Sequence, residues 1–335
     1  PEDGADCDFI TQSLNAEAAG AVGVVFYNDD GRQDAYFESF IQYVVSIPVF
    51  GASNMVGMEL RLGVTLRMFS NVLNIEDVPT SNVIAETKDG NPDQVVMAGA
   101  HLDSVAGGPG INDNGSGSAT ILEVAIQMAN LDIQSRNRVR FAWWGAEEIG
   151  LLGSRYYVTN LSKRELEKIK LYLNFDMIAS PNYVRAVYGS EDPGEVEIAE
   201  TIMSYFDYFN LTTVPLDHAL AFDAVDGDSD HASFQAAGIP SSGLFTGANT
   251  IKTQELFDLF GGIVGEDLDP CYHQSCDRLD NISREILDEM ADAAAHSILT
   301  FAGMDDMPSE TPYRRMKAVK KPESRRMRTR RRRFM

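Results

Sequence analysis

The sequence is short of basic side chains. Its 335 residues carry 28 Lys and Arg against 50 Asp and Glu, a formal net charge of −22. Residues 313–335 hold twelve of those cations and one acid, which leaves residues 1–312 at −33. Such a body repels nucleic-acid phosphates and anionic membranes, so neither is expected as a partner. Long apolar runs are missing too. The longest, residues 18–27, has ten residues and two glycines, whereas a membrane-spanning helix needs about 18. Only three cysteines occur, at 7, 271 and 276. Cys271 and Cys276 can close a small ring in an oxidising compartment, which leaves Cys7 over. There is no internal repeat. With 44% hydrophobic and 23% charged residues, wholesale disorder, collagen-like and coiled-coil architectures are excluded.

What is present reads as three segments. Residues 1–75 form a small α/β module: a helix end running into a buried strand over 18–27, a turn at 28–31, a second strand at 47–50 and a short helix over 51–62. Residues 76–305 alternate strands (83–87, 94–101, 139–144, 171–176, 239–245) with helices (116–131, 195–209, and one capped by Ser283). In the 116–131 helix, Ile121, Leu122, Ala125 and Met128 are expected on one face. This alternation predicts a mixed, largely parallel central sheet flanked by helices on both faces. Residues 306–335 turn Pro-, Ser- and Arg-rich and read as a solvated basic tail.

The chemistry sits at strand ends, where open α/β sheets gather their ligands. His101-Leu-Asp-Ser104 closes the apolar run 95–100. A neutral imidazole at 101 suits Zn²⁺, and Asp103 is placed to hold its other ring nitrogen and fix the tautomer. The following Gly107-Gly-Pro-Gly-Ile-Asn-Asp-Asn-Gly-Ser-Gly117 resembles a phosphate cradle but lacks Gly-Lys-Ser/Thr. It has Asp113 where a dinucleotide loop needs glycine. An acid there attracts a cation, which makes Asp113 a candidate bridge between two metals. Glu147 and Glu148 follow the strand ending Trp-Trp-Gly-Ala, and Asp176 ends another apolar strand. Acids at such mouths are costly unless paired or metal-bound. A second histidine is required. His296 lies among alanines on a helix and His218 in a loop without a partner pattern; both read as structural. His231, in Ser229-Asp-His-Ala-Ser-Phe234, competes with His273. His273 is favoured because the Cys271–Cys276 ring would pin its loop. The set His101, Asp113, Glu148, Asp176 and His273 suits two Zn²⁺ about 3.5–4 Å apart. A bridging water would be acidified to a pKa of about 7, with Glu147 taking its proton.

These runs, together with Asn174-Phe-Asp-Met and Pro270-Cys-Tyr-His-Gln-Ser-Cys276, closely resemble the secreted two-zinc, leucine-type aminopeptidases. That family shares its fold with zinc carboxypeptidases. The resemblance covers about residues 76–305. It implies the five ligands above, Asp113 as the bridge, Glu147 as general base, Tyr272 beside the oxyanion, a Cys271–Cys276 disulfide and His231 as a non-ligand. It further implies an apolar first-residue pocket, for which Met177, Leu244 and Phe245 are candidates; their alternative is ordinary core. Residues 9–62 resemble part of a protease-associated domain, and the resemblance implies that its first strands and the partner expected for Cys7 are missing. One departure is Asp228, near where many relatives carry Arg.

The expected activity is therefore hydrolysis of N-terminal, apolar residues from peptides by a monomeric, secreted or vacuolar enzyme. The chain starts at Pro1 with no signal peptide, which implies a removed leader or a missing N-terminus. Sequons at Asn114, Asn160, Asn210 and Asn281 permit glycosylation. Acids at 267, 269, 277 and 280 could hold a Ca²⁺, with a solvated acidic loop the favoured alternative. Two alternatives stand beside this reading. A carboxypeptidase of the same fold would need a cationic cluster for the substrate carboxylate, and the domain is poor in Lys and Arg. A catalytically silent binding protein is expected to have lost ligands or base.

Overall fold

The structure, a computed structural model, describes residues 9–27, 45–69, 78–189, 192–215 and 229–308. Cys7, the 28–31 turn, His218, Asp228 and residues 309–335 lie outside the described residues. The chain divides into two compact units, Pro1–Pro79 and Thr80–Met335.

In the first unit, α1 (Phe9–Ala18) leads to β1 (Val24–Tyr27), which pairs in parallel with β2 (Val49–Ala52); α2 (Asn54–Leu60) follows. Phe9 meets Phe26 edge-on, with ring centroids 5.0 Å apart. Gly57 lets α2 lie on Tyr27, since a Cβ there would fall inside the ring's contact distance.

The second unit is built on a seven-stranded sheet. Its strands are β3 (Val83–Glu86), β4 (Asn91–His101), β5 (Asn137–Trp144), β6 (Ile169–Phe175), β7 (Ala186–Val187), β8 (Val214–Pro215) and β9 (Ser241–Phe245). Across the sheet they run β3-β5-β4-β6-β9-β7-β8. The central four, β5-β4-β6-β9, are parallel, while β3 and β7 join antiparallel. Strands buried on both faces read as unbroken apolar runs, and residues 95–101 of β4 are all buried.

Helices cover both faces. α3 (Gly117–Asn130), α6 (Pro193–Tyr208) and α9 (Arg284–Gly303) close the larger core, packing Ile121, Ile198, Ile202, Met290 and Phe301 on Val96, Leu173 and Phe175. α4 (Leu152–Asn160), α5 (Lys163–Leu166) and α7 (His231–Ala236) lie toward the other face, over Val95, Met97, Trp144 and Tyr172. α8 (Gln254–Phe260) flanks a third cluster around Leu256 and Leu268. Ser283 caps α9 by accepting from the Ile286 N–H. On α3 the buried stripe is Ile121, Val124 and Met128, while Leu122 is 48% exposed. A residue one step from Ile121 turns about 100° away from the core, which corrects the expected face.

Candidate metal centre

His101 is the last residue of β4, and its ring is buried. Its Nδ1–H donates to the Asp103 carbonyl at 3.0 Å. Nε2 faces Asp113 Oδ1 at 3.0 Å and Asp176 Oδ1 at 3.2 Å and donates to them as Nε2–H; loss of that proton would free a lone pair for a metal. The tautomer is thus set by the main chain of Asp103, not by its carboxylate, whose oxygen stands 3.9 Å from the ring. The carboxylate instead accepts from the backbone N–H groups of Glu147 at 3.0 Å and Glu148 at 3.2 Å. Asp103 therefore ties the β4 end to the turn after β5.

Asp113 stands in a single wide turn, Ile111–Ser116, that feeds α3. The turn opens on Gly110 at φ +64, where a Cβ would meet Ser104 Oγ at 2.5 Å and Asp113 O at 2.6 Å. Both oxygens of the Asp277 carboxylate hold the turn from outside, accepting from Asn112 N–H at 2.8 Å and Asp113 N–H at 3.1 Å. The two Asp113 oxygens face different partners: Oδ1 faces His101, and Oδ2 lies 3.2 Å from His273 Nε2. His273 Nε2 is also 3.1 Å from Glu148 Oε2. His273 has φ +58 on a loop closed by the Cys271–Cys276 disulfide, whose Cα atoms are 5.3 Å apart. Tyr272 stacks on its ring with centroids 3.8 Å apart.

The five sequence-named ligands therefore meet at the carboxyl edge of the sheet, in two halves that share Asp113. Glu147 belongs to the first half, within 4.8 Å of ligand atoms of His101 and Asp176. His231 is buried but belongs to neither group, its ring lying 4.5 Å from that of Tyr188.

Burial and crowding set the electrostatics. Burial pushes Glu147 well up, helped by Asp176, Asp230 and Asp113 against the opposing pull of His101. Burial also raises Glu148, and it lifts Asp230 to about 7. Burial alone would raise Asp113, but hydrogen bonds from His101 and His273 outweigh it and hold the carboxyl well below its usual range. Burial lowers the His273 ring, yet Asp113 and Glu148 hold it at about 10. Burial keeps the Tyr272 hydroxyl protonated. Glu148 Oε1 is buried without a hydrogen-bond partner. Among the described residues the ion-pair partners of these acids are His101 and His273; acids packed this densely call for a cation, and the imidazole and carboxylate donors fit Zn²⁺.

Several expectations change here. Met177 and Phe245 pack together beside Tyr272, but Leu244 points to the opposite face of β9 and sits in the larger core. Successive strand residues face opposite ways, so Leu244 lines no pocket with them. The four acids read as a Ca²⁺ site do not converge. Asp277 is committed to the Asp113 turn, and Asp269 accepts from Asn112 Nδ2, Cys271 N–H and Asn281 Nδ2. Sequence reading missed the positioning role of Asp277. It also missed Ser229, whose hydroxyl donates to Asp176 Oδ2 at 2.6 Å.

The sequence profile of peptidase family M28 matches residues 82–298. The chain belongs to that family. A protease-associated (PA) domain profile matches residues 2–60. Among curated M28 relatives, an aminopeptidase of Pseudomonas aeruginosa is 42% identical over 86% of this chain and 55% of its own length. Leucine aminopeptidase 2 of Trichophyton equinum is 40% identical over 88% of this chain and 60% of its own. The chain thus spans little more than half the length of these relatives. The solved zinc aminopeptidase of Bacillus subtilis superposes with a TM-score of 0.66 at 27% identity, covering 92% of this chain and 70% of that one. The mixed sheet with flanking helices is the architecture of these family neighbours.

Proposed function

We propose that the chain is a two-zinc exopeptidase that removes N-terminal residues from peptides. The observation that carries this reading is the split of Asp113, with one oxygen toward the His101–Asp176 half and the other toward the His273–Glu148 half. A carboxylate so placed suits the bridge of a two-metal site. When bound, zinc supplies positive charge that polarises a carbonyl and acidifies water.

The chain's own residues do the rest. Glu147 ligates neither half in this scheme and takes a proton from the attacking water, then hands it to the leaving amine. Its raised affinity for protons suits both transfers. Tyr272, stacked on His273 and held protonated, donates to the oxygen on which charge develops. Met177 and Phe245 form an apolar wall for the first side chain, in keeping with the leucine aminopeptidase relatives. The strongly acidic body favours a cationic N-terminus over a free carboxylate.

We read the protein as secreted and monomeric. Of its sequons, Asn160 and Asn210 are exposed and suited to glycans, whereas Asn114 is buried in the ligand turn and Asn281 is bonded to Asp269. Among the described residues, no helix is long and apolar enough to cross a membrane.

The test is hydrolysis of a chromogenic leucine amide beside its N-acetylated form. We expect cleavage of the free amine only, lost with chelator and restored by zinc. Cleavage of both would replace the exopeptidase reading with a broader amidase. A metal assay separates the histidines: His273→Ala is expected to lower zinc per chain and His231→Ala to retain it. The reverse pattern would exchange their roles.

A further inference from the structure

A line of buried hydrogen bonds runs from the core beneath the sheet to Asp176. It begins at Trp144 on β5, whose Nε1–H donates to the Tyr172 hydroxyl at 2.9 Å. Tyr172, on β6, donates in turn to Asn174 Oδ1 at 2.9 Å. Asn174 Nδ2 donates to Ser229 Oγ at 2.8 Å. Ser229 then donates to Asp176 Oδ2 at 2.6 Å. Trp144, Tyr172, Asn174 and Ser229 are all buried.

The direction of this line is fixed at both ends. An indole N–H only donates, and an ionised carboxylate only accepts. Every hydroxyl and amide between them has a single orientation that satisfies the whole line. Buried chains of this kind strengthen cooperatively. The far end is rigid: Tyr172 stacks on Phe234 with centroids 3.8 Å apart and rings 4° from parallel.

The path depends on a missing side chain. Strand β4 lies between β5 and β6, so Trp144 and Tyr172 must meet across it. They meet at Gly99. A Cβ there would stand 2.4 Å from Tyr172 Oη and 2.7 Å from Trp144 Nε1. Gly99 has an ordinary strand backbone, so the requirement is for space rather than conformational freedom.

We propose that Trp144, Tyr172 and Asn174 are positioning residues for Asp176, and that Gly99 is the gap through which they connect. Their joint effect is to occupy Oδ2, so that Oδ1 faces His101 and the metal of that half. The inference rests on the two-zinc reading. It assigns an asymmetry that this reading alone does not contain: one metal position is held by the aromatic core, the other by the disulfide loop.

The test is stepwise metal titration of the metal-free protein with Co²⁺, followed by visible absorption, with Asp176→Asn as the reference for which step belongs to Asp176. Tyr172→Phe keeps the ring and its stack and removes only the hydroxyl. We expect it to weaken the Asp176 step about tenfold and to leave the other step within a factor of two. Asn174→Ala should weaken the same step further, and Trp144→Phe less. Gly99→Ala should match or exceed Tyr172→Phe. Unchanged binding of both metals by Tyr172→Phe would overturn the proposal. So would equal weakening of both steps with a lower Tm, which is the signature of a merely structural role. Uptake of fewer than two Co²⁺ by the unmutated protein would overturn the two-metal reading itself.

Discussion

Glu147→Gln is expected to lower turnover by about 10²–10⁴-fold, the range for removing a general acid–base, while two zinc ions stay bound. The glutamine keeps shape and volume. The clamp that aims this turn, from the backbone N–H groups of 147 and 148 to the Asp103 carboxylate, involves no Glu147 side-chain atom and survives. Proton transfer alone is lost. Activity of the parent protein should rise with pH as Glu147 ionises. The variant should lack that rise. Steady-state kinetics with metal analysis on the same sample decides the matter. Turnover within tenfold of the parent would remove Glu147 from proton transfer. A drop to one zinc would make it a ligand and exchange it with Glu148.

Metal removal is expected to reverse the pH dependence of stability. In the metal-free protein, His273 binds its proton up to about 10 against an ordinary 6.5. Its stabilising contribution is complete below 6.5 and disappears as the pH climbs toward 10. Asp230, lifted to about 7, acts with the same sign at lower pH: it favours the fold while protonated and loses that contribution on ionising. Asp113, held low, stays ionised above the usual carboxylate range and contributes no slope there. The chelated protein should therefore show a lower Tm at pH 9 than at pH 6. Zinc inverts this, because its ligands must be deprotonated to bind and higher pH tightens the site. At free zinc about a thousandfold above Kd, one site contributes about 4 kcal/mol, or a Tm rise of about 10 °C for a unit of this size. Scanning calorimetry at both pH values, with chelator and with zinc, reads all four numbers. A Tm of the chelated protein that is flat from pH 6 to 9 would contradict the assigned proton affinities.

The sheet and the meeting of His101, Asp113, Glu148, Asp176 and His273 were legible because buried parallel strands announce themselves as apolar runs, and ligand residues stand where those runs stop. What stayed hidden was side-chain direction. Asp103 offers both a carboxylate and a carbonyl to a ring two residues away, and only the fold decides that the carbonyl is used. Leu244 and Phe245 are both apolar and adjacent, yet the pleat sends them to different cores. The line from Trp144 to Asp176 joins β5, β6 and the residues just before α7, so no local spacing betrays it. Gly99, unremarked in the run 95–100, gains meaning only from its neighbours on two other strands.

The candidate ligands reach the centre from five separate stretches of chain: the ends of β4 and β6, the turn before α3, the turn after β5 and the loop before α9. His101 and His273 are brought together only by the finished sheet and the closed disulfide loop. An unfolded chain therefore presents no short chelating pair of the kind that lets a zinc finger assemble around its ion. On the two-zinc reading the metal is therefore not expected to act as a nucleus. It is expected to be taken up last, after the long-range, slow contacts of the parallel sheet have been made.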